Sequence, residues 1–148
     1  MKTFATRFEL PQPPEAVWAA LTDFAHWAAW NPVIPGVRGA PGPGARLTLA
    51  LVSPVLPLRR PLPVRVRVVA FEPCRALRWK GGVPGLFTAE HGWTLEPTGA
   101  GTTVLHEECF RGLLVPLLAR RLDRTLPASY EVMNAGLQSF SAQRVRTG

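Results

Sequence analysis

Residues 104–126 read Val104-Leu105-His106-Glu107-Glu108-Cys109-Phe110-Arg111-Gly112-Leu113-Leu114-Val115-Pro116-Leu117-Leu118-Ala119-Arg120-Arg121-Leu122-Asp123-Arg124-Thr125-Leu126. Inside this stretch the hydrophobic period changes from two to about 3.6. Before the change, Val104, His106, Glu108 and Phe110 share one face of an extended segment, with Thr103, Leu105, Glu107 and Cys109 on the other. After it, Leu114, Leu118, Leu122, Thr125 and Leu126 form a helical stripe that Tyr130, Met133, Leu137 and Phe140 continue. Pro116 suits the opening turn, whereas Pro127 lies deep inside and predicts a kink or a division. A helix of roughly 30 residues would be about 45 Å long, enough to lie across a whole sheet.

The segment before this one is its partner. Phe87-Thr88-Ala89-Glu90-His91-Gly92-Trp93-Thr94-Leu95 alternates, placing Phe87, Ala89, His91, Trp93 and Leu95 on one face. The link Glu96-Pro97-Thr98-Gly99-Ala100-Gly101-Thr102 is made of turn residues, so the two runs predict a hairpin. Pairing outward from that turn sets Trp93 near His106 and His91 near Glu108. An apolar wall carrying two imidazoles and a carboxylate predicts a pocket for a mostly apolar molecule with one polar handle.

Further strands precede the hairpin. Thr3 to Leu10 alternates and ends at Pro11, Pro13 and Pro14. Pro14 then opens a helix with Val17, Trp18, Leu21 and Phe24 on its buried stripe. Asp23 is placed to cap a second short helix bearing Trp27 and Trp30, which Asn31-Pro32 stops. Pro35 to Gly44 reads as loop, and Arg46 to Val52 as a strand with Leu47, Leu49 and Leu51 on one face. Ser53 to Pro63 predicts an irregular connection or an edge lip. Val64 to Val68 alternates valine with arginine, and Arg75 to Lys80 sets Leu77 and Trp79 opposite Arg78 and Lys80. The result is an α+β domain: a sheet of about six or seven antiparallel strands, wet on one face and covered on the other.

With 148 residues, 47% of them hydrophobic, the chain is expected to fold as one domain, 1–148, around a packed core. The net charge of +7 raises the question of nucleic acid. Lys2 and Lys80 are the only lysines, the arginines are dispersed, and no basic run is interleaved with aromatics, so no nucleic-acid partner is expected. An anionic membrane surface or an acidic partner stays open. No apolar run approaches the roughly 20 residues of a membrane span, and the first residues lack a signal-peptide pattern. Cys74 and Cys109 form no metal-type cluster, and together these features predict a cytoplasmic protein.

Several segments carry a family resemblance. They are Pro14-Glu15-Ala16-Val17-Trp18 with Leu21-Thr22-Asp23, Trp30-Asn31-Pro32, Leu95-Glu96-Pro97, Gly101-Thr102-Thr103, His106 to Gly112, and Asn134-Ala135-Gly136-Leu137. In these the chain resembles the SRPBCC superfamily of START-type lipid carriers, birch-pollen-type allergens and polyketide cyclases, most closely its small bacterial polyketide cyclase/dehydrase-like proteins. Pro13 departs from the pattern, standing where a Ser or Asp cap is expected. The resemblance implies a helix-grip fold: a curved sheet around a long C-terminal helix, two short helices after the first strand, and a hydrophobic cavity between sheet and helix. No cofactor is expected.

Three readings are open for His91, His106 and Glu108. They can form an inert buried pair of imidazole and carboxylate. They can orient a ligand or move a proton, with His91 or His106 as acid/base and Glu108 as its orienter. Two histidines and a carboxylate are also a metal-ligand set, although no H-E-x-x-H pattern supports one. Leu47, Leu49, Leu51, Val66, Leu77, Trp79, Phe87, Trp93, Phe110, Met133 and Leu137 are the expected apolar lining. The expected function is carriage or sensing of a lipid-like, polyketide-like or aromatic molecule by a monomer or homodimer. A cyclase/dehydratase-type enzyme using the same pocket is the alternative. A co-chaperone-like interaction module is a further one, and it predicts a collapsed cavity with an exposed apolar patch.

Overall fold

A computed structural model describes residues 1–147. Strand β1 (Lys2–Leu10) is followed by helix α1 (Pro14–Thr22) and a 3-10 stretch, Phe24–Ala29. Then come β2 (Gly36–Arg38), β3 (Arg46–Leu51), β4 (Leu62–Glu72), β5 (Ala76–Val83), β6 (Phe87–Thr98) and β7 (Gly101–Arg111). Helix α2 (Val115–Thr147) ends the described chain. The strands form one antiparallel sheet in the order β1-β7-β6-β5-β4-β3-β2, and α2 lies against it. This is the α+β helix-grip architecture.

Local chemistry explains the elements. Pro14 begins α1 without any side-chain cap, and the Pro13 carbonyl accepts from the amides of Ala16 and Val17 instead. Asp23 does not cap the 3-10 stretch through its side chain as expected. Its carboxylate instead takes His26 Nδ1 at 2.8 Å and the Arg144 guanidinium, which ties the far end of α2 to α1. Those two partners, His26 foremost, hold the Asp23 carboxyl below its ordinary pKa against the opposing effect of burial. Asn31 Oδ1 accepts from the amides of Val33 and Ile34, forming the turn that leads toward β2. That short strand lies inside the stretch expected to be loop.

The hairpin register is the one read from the sequence: His91 opposes Glu108 and Trp93 opposes His106. Both strands run further than the alternation indicates, so that Gly99 and Ala100 alone join Thr98 to Gly101. A register shift between Val68 and Ala70 adds the local twist of a bulge and helps the sheet curl. Arg65, Arg67 and Lys80 occupy the outer face, and Arg78 pairs there with Glu107. At about 1.5 Å per residue, α2 is about 50 Å long. Pro127 does not divide it: the residue is exposed, and its missing hydrogen bond falls on the solvent side. Leu122, Leu126, Tyr130, Met133, Leu137 and Ser141 are its buried stripe. Gly136 lets α2 pass close to the end of the 3-10 stretch, since a Cβ there would collide with the carbonyl oxygen of Trp30, the residue that follows it.

Candidate functional site

The concave side of the sheet is divided in two. Over one half, α1 and the 3-10 stretch press fully buried Val17, Leu21 and Trp27 onto the strands. Trp27 packs against Trp79 and Trp93 with centroids 5.7 Å from each, and its Nε1 donates to the Leu21 carbonyl at 3.2 Å. Over the other half, α2 stands away from the sheet and encloses a cavity of about 430 Å³. Its wall comes from β3 to β7, the Val33–Ile34 turn, the β3–β4 connection, Leu114 and the α2 face from Leu118 to Met133.

Rows across the sheet show where the division falls. Leu77, Trp93 and His106 are aligned neighbours on β5, β6 and β7, and all three lie in the filled half. The next row, Trp79, His91 and Glu108, forms cavity wall. Of the expected lining, Leu49, Leu51, Val66, Trp79, Phe87, His91, Glu108, Phe110 and Met133 face the cavity. Leu47, Leu77, Trp93, His106 and Leu137 do not. They are buried in solid core because the N-terminal helices fill that half, and Leu137 lies beyond the cavity-facing part of α2. Tyr130 and Ser129 line the cavity as well, and no motif in the sequence singles them out as site residues.

The polar groups pair differently from the simplest reading. Glu108 does not pair with an imidazole. Its Oε2 accepts from the Tyr130 hydroxyl at 2.6 Å, across from sheet to helix. The imidazoles meet one another, His91 Nε2 to His106 Nε2 at 2.6 Å. Asn134 supplies the protonation pattern. Its Nδ2 donates to Thr6 Oγ1 at 2.9 Å, so its Oδ1 accepts from His106 Nδ1 at 2.8 Å. His106 therefore carries its proton on Nδ1, and its Nε2 accepts from His91 Nε2–H. This tautomer assignment leaves the His91 Nδ1 lone pair as an acceptor. Among the described residues no three metal-ligating side chains gather around one point. The two histidines and Glu108 point to different partners.

Aromatic rings enclose the imidazoles. Trp93 stacks on His106 at 5.0 Å, Tyr130 meets it edge-on at 4.9 Å, and Trp79 lies 5.5 Å from His91. Burial in that dry shell lowers the His106 pKa from 6.5 to about 4, against the opposing effect of the hydrogen bond that His106 donates to Asn134. Burial, then repulsion by a charged His106 and by Arg78, holds His91 well below its ordinary value. Both imidazoles are neutral at pH 7. Burial raises Glu108 from 4.5 to about 7, partly countered by the Tyr130 hydroxyl. Burial first, and then the Glu108 carboxylate beside it, pushes Tyr130 above its ordinary value. By exposed surface Glu108 is only half-buried, because the surface it presents belongs to the cavity. At neutral pH it is both donor and acceptor in an otherwise greasy chamber.

Comparison with known proteins places this architecture. The Zhui aromatase/cyclase from Streptomyces sp. R1128 superposes with a TM-score of 0.76 at 14% identity, covering 97% of this chain and 95% of that one. Protein TTHA0849 from Thermus thermophilus gives 0.76 at 15% identity, covering 97% and 99%. Protein MLL2253 from Mesorhizobium loti gives 0.69 at 20% identity, covering 93% and 98%. At these identities the likeness is one of fold. No curated protein matches the chain by sequence. The family model described as "Polyketide cyclase / dehydrase and lipid transport" matches residues 1–142, and the chain belongs to that family.

Proposed function

We propose that the protein binds a mostly apolar small molecule in the cavity between sheet and α2, as a carrier or sensor. The molecule's single polar group would meet Glu108, Tyr130 and His91. The observation that carries this reading is the cavity itself: about 430 Å³, walled mainly by aliphatic and aromatic side chains, with Glu108 bonded to Tyr130, His91 opposite Glu108 on the neighbouring strand, and Ser53 and Ser129 as the other polar side chains. That volume lies in the range of small-molecule sites. Burying an elongated apolar ligand there would supply about 25 cal/mol per Å². The polar groups would select for a hydroxyl or carbonyl at one end. The interaction-module alternative requires a collapsed cavity, and the observed chamber speaks against it. The cytoplasm is the compartment we infer, with Cys74 and Cys109 unpaired as thiols.

The test is native mass spectrometry of freshly purified protein, followed by displacement of a fluorescent apolar probe. Ser129→Phe, which adds a ring at the α2 side of the chamber, is expected to weaken probe binding at least about tenfold, roughly 1.4 kcal/mol. Unchanged binding in that variant would refute the proposed location.

One observation favours a second reading. Glu108 titrates near neutrality, is bonded to Tyr130 and faces the same cavity, which suits a general acid/base. A cyclase or dehydratase would use Glu108 to move a proton at a ligand carbonyl. Turnover of an aromatic-polyketide-like substrate, lost in Glu108→Gln while binding is retained, would distinguish enzyme from carrier.

A further inference from the structure

The end of the sheet nearest the cavity carries an unusual surface. Leu51 at the end of β3 opposes Leu62 at the start of β4, and Val83 at the end of β5 opposes Phe87 at the start of β6. Thr88 opposes Arg111 at the end of β7. The β3–β4 connection, the β5–β6 turn and the β7–α2 corner therefore emerge at one end of the molecule. The last two touch, since the amides of Leu113 and Leu114 donate to the carbonyls of Gly85 and Leu86. Nine of the thirteen large apolar side chains exposed among the described residues lie in or beside these three connections, so the apolar surface is concentrated rather than scattered. Leu113 and Leu117 are the most open, at 82% and 84%. Leu56, Leu62 and Leu114 are exposed and also line the cavity, so this end is its mouth.

Charge says what the face is for. The segments 52–62, 83–86 and 111–121 contain no Asp or Glu, and they carry Arg59, Arg60, Arg111, Arg120 and Arg121. All five are exposed, and among the described residues none forms an ion pair. Exposed leucines interspersed with unpaired guanidinium groups in the same three connections match the chemistry of an anionic bilayer, with acyl chains beneath and phosphates above. We propose that the mouth of the cavity docks on anionic lipid membranes. Leu58, Leu86, Leu113 and Leu117 enter the headgroup–acyl boundary while the five arginines bind lipid phosphates. An apolar ligand would then pass between bilayer and cavity without crossing water. The docking itself does not depend on which ligand the cavity takes.

Cosedimentation with phosphatidylcholine vesicles, with and without about 30% phosphatidylglycerol, tests this. Binding is expected to be at least about tenfold tighter to the anionic vesicles and to fall by a similar factor at about 0.5 M NaCl. Leu113→Glu with Leu117→Glu is expected to cost at least about tenfold, as is Arg120→Glu with Arg121→Glu. Arg65→Glu with Arg67→Glu changes the net charge equally on the outer face of the sheet and is expected to retain most of the binding. Circular dichroism checks that each variant folds, and the lipid and salt dependence of the native protein test the idea independently of any variant. Three results would overturn it: no vesicle binding, equal losses in the outer-face and mouth variants, or a solution dimer that Leu117→Glu dissociates. The last would assign the face to a second copy of the chain.

Discussion

Replacing Glu108 by Gln isolates the cost of keeping a carboxyl group in the cavity wall. Burial raises this group from 4.5 to about 7, so the folded protein still holds a proton that the unfolded chain has released. The Glu108 contribution to stability therefore falls as pH rises from 4.5 to about 7, and the loss is complete above that range. At 1.36 kcal/mol per pKa unit the rise corresponds to about 3 kcal/mol. Screening by water at a cavity-facing group brings the expected effect to about 2 kcal/mol. Gln keeps an oxygen that can accept from the Tyr130 hydroxyl, so the variant removes the charge and leaves the hydrogen bond. Urea denaturation of both proteins, followed by tryptophan fluorescence from about pH 4 to 8, reads the difference directly. Glu108→Gln should match the native protein near pH 4, gain stability through the window and level off about 2 kcal/mol more stable above pH 7. Histidine contributions are common to both proteins and cancel. A difference independent of pH would show that Glu108 is not held protonated by its surroundings.

Further outcomes test the rest of the polar core and the seating of α2. Asn134→Asp puts a carboxylate against His106 Nδ1, so the His106 pKa, held at about 4, should rise by roughly 1 to 2 in an NMR titration. His106 acts in the opposite sense to Glu108: its own contribution to stability is lost as pH falls from 6.5 through about 4, because the unfolded chain then binds a proton that folded His106 refuses. His106→Leu should flatten that slope while costing roughly 2 to 4 kcal/mol at pH 7, since His91 Nε2 and Asn134 Oδ1 lose their partner; the same denaturation series reads both. Gly136→Ala drives a methyl group into the Trp30 carbonyl and should destabilise by roughly 2 to 4 kcal/mol in denaturant, with α2 pushed away from the 3-10 stretch.

The parts legible in the sequence are those that short-range rules determine. The turn residues around Gly99 and Gly101 restrict the hairpin register, and alternation then puts His91, Trp93, His106 and Glu108 on the inner face. The change of period after Phe110 marks the long helix. What stays hidden depends on how separate elements meet. Periodicity says that Tyr130 is buried, but the rotation and tilt of α2 decide that its hydroxyl reaches Glu108. Directly opposed residues suggest imidazole with carboxylate, whereas the side chains lean along the strands and join His91 diagonally to His106. Leu47, Leu77 and Trp93 do point inward. Only the docking of Trp27 shows that their half of the sheet is solid.

That division places chemistry along a single strand face. Val104, His106, Glu108 and Phe110 follow one another on β7, and each step of two residues moves about 7 Å toward the mouth. Val104 and His106 lie in the filled half, where both ring nitrogens of His106 are satisfied, by His91 and Asn134. Glu108 comes one step later, at the boundary, with Tyr130 on one oxygen and the cavity before it. Phe110 comes after that, among apolar side chains leading to Leu114 and the exposed leucines. Polarity therefore runs from a satisfied inner end through a titratable boundary to an apolar mouth. A ligand with a polar head would match that gradient in one orientation, head inward at Glu108 and tail toward the apolar mouth. The reverse orientation would leave its head without partners and Glu108 facing hydrocarbon, at a cost of roughly 1 to 3 kcal/mol for each unpaired group.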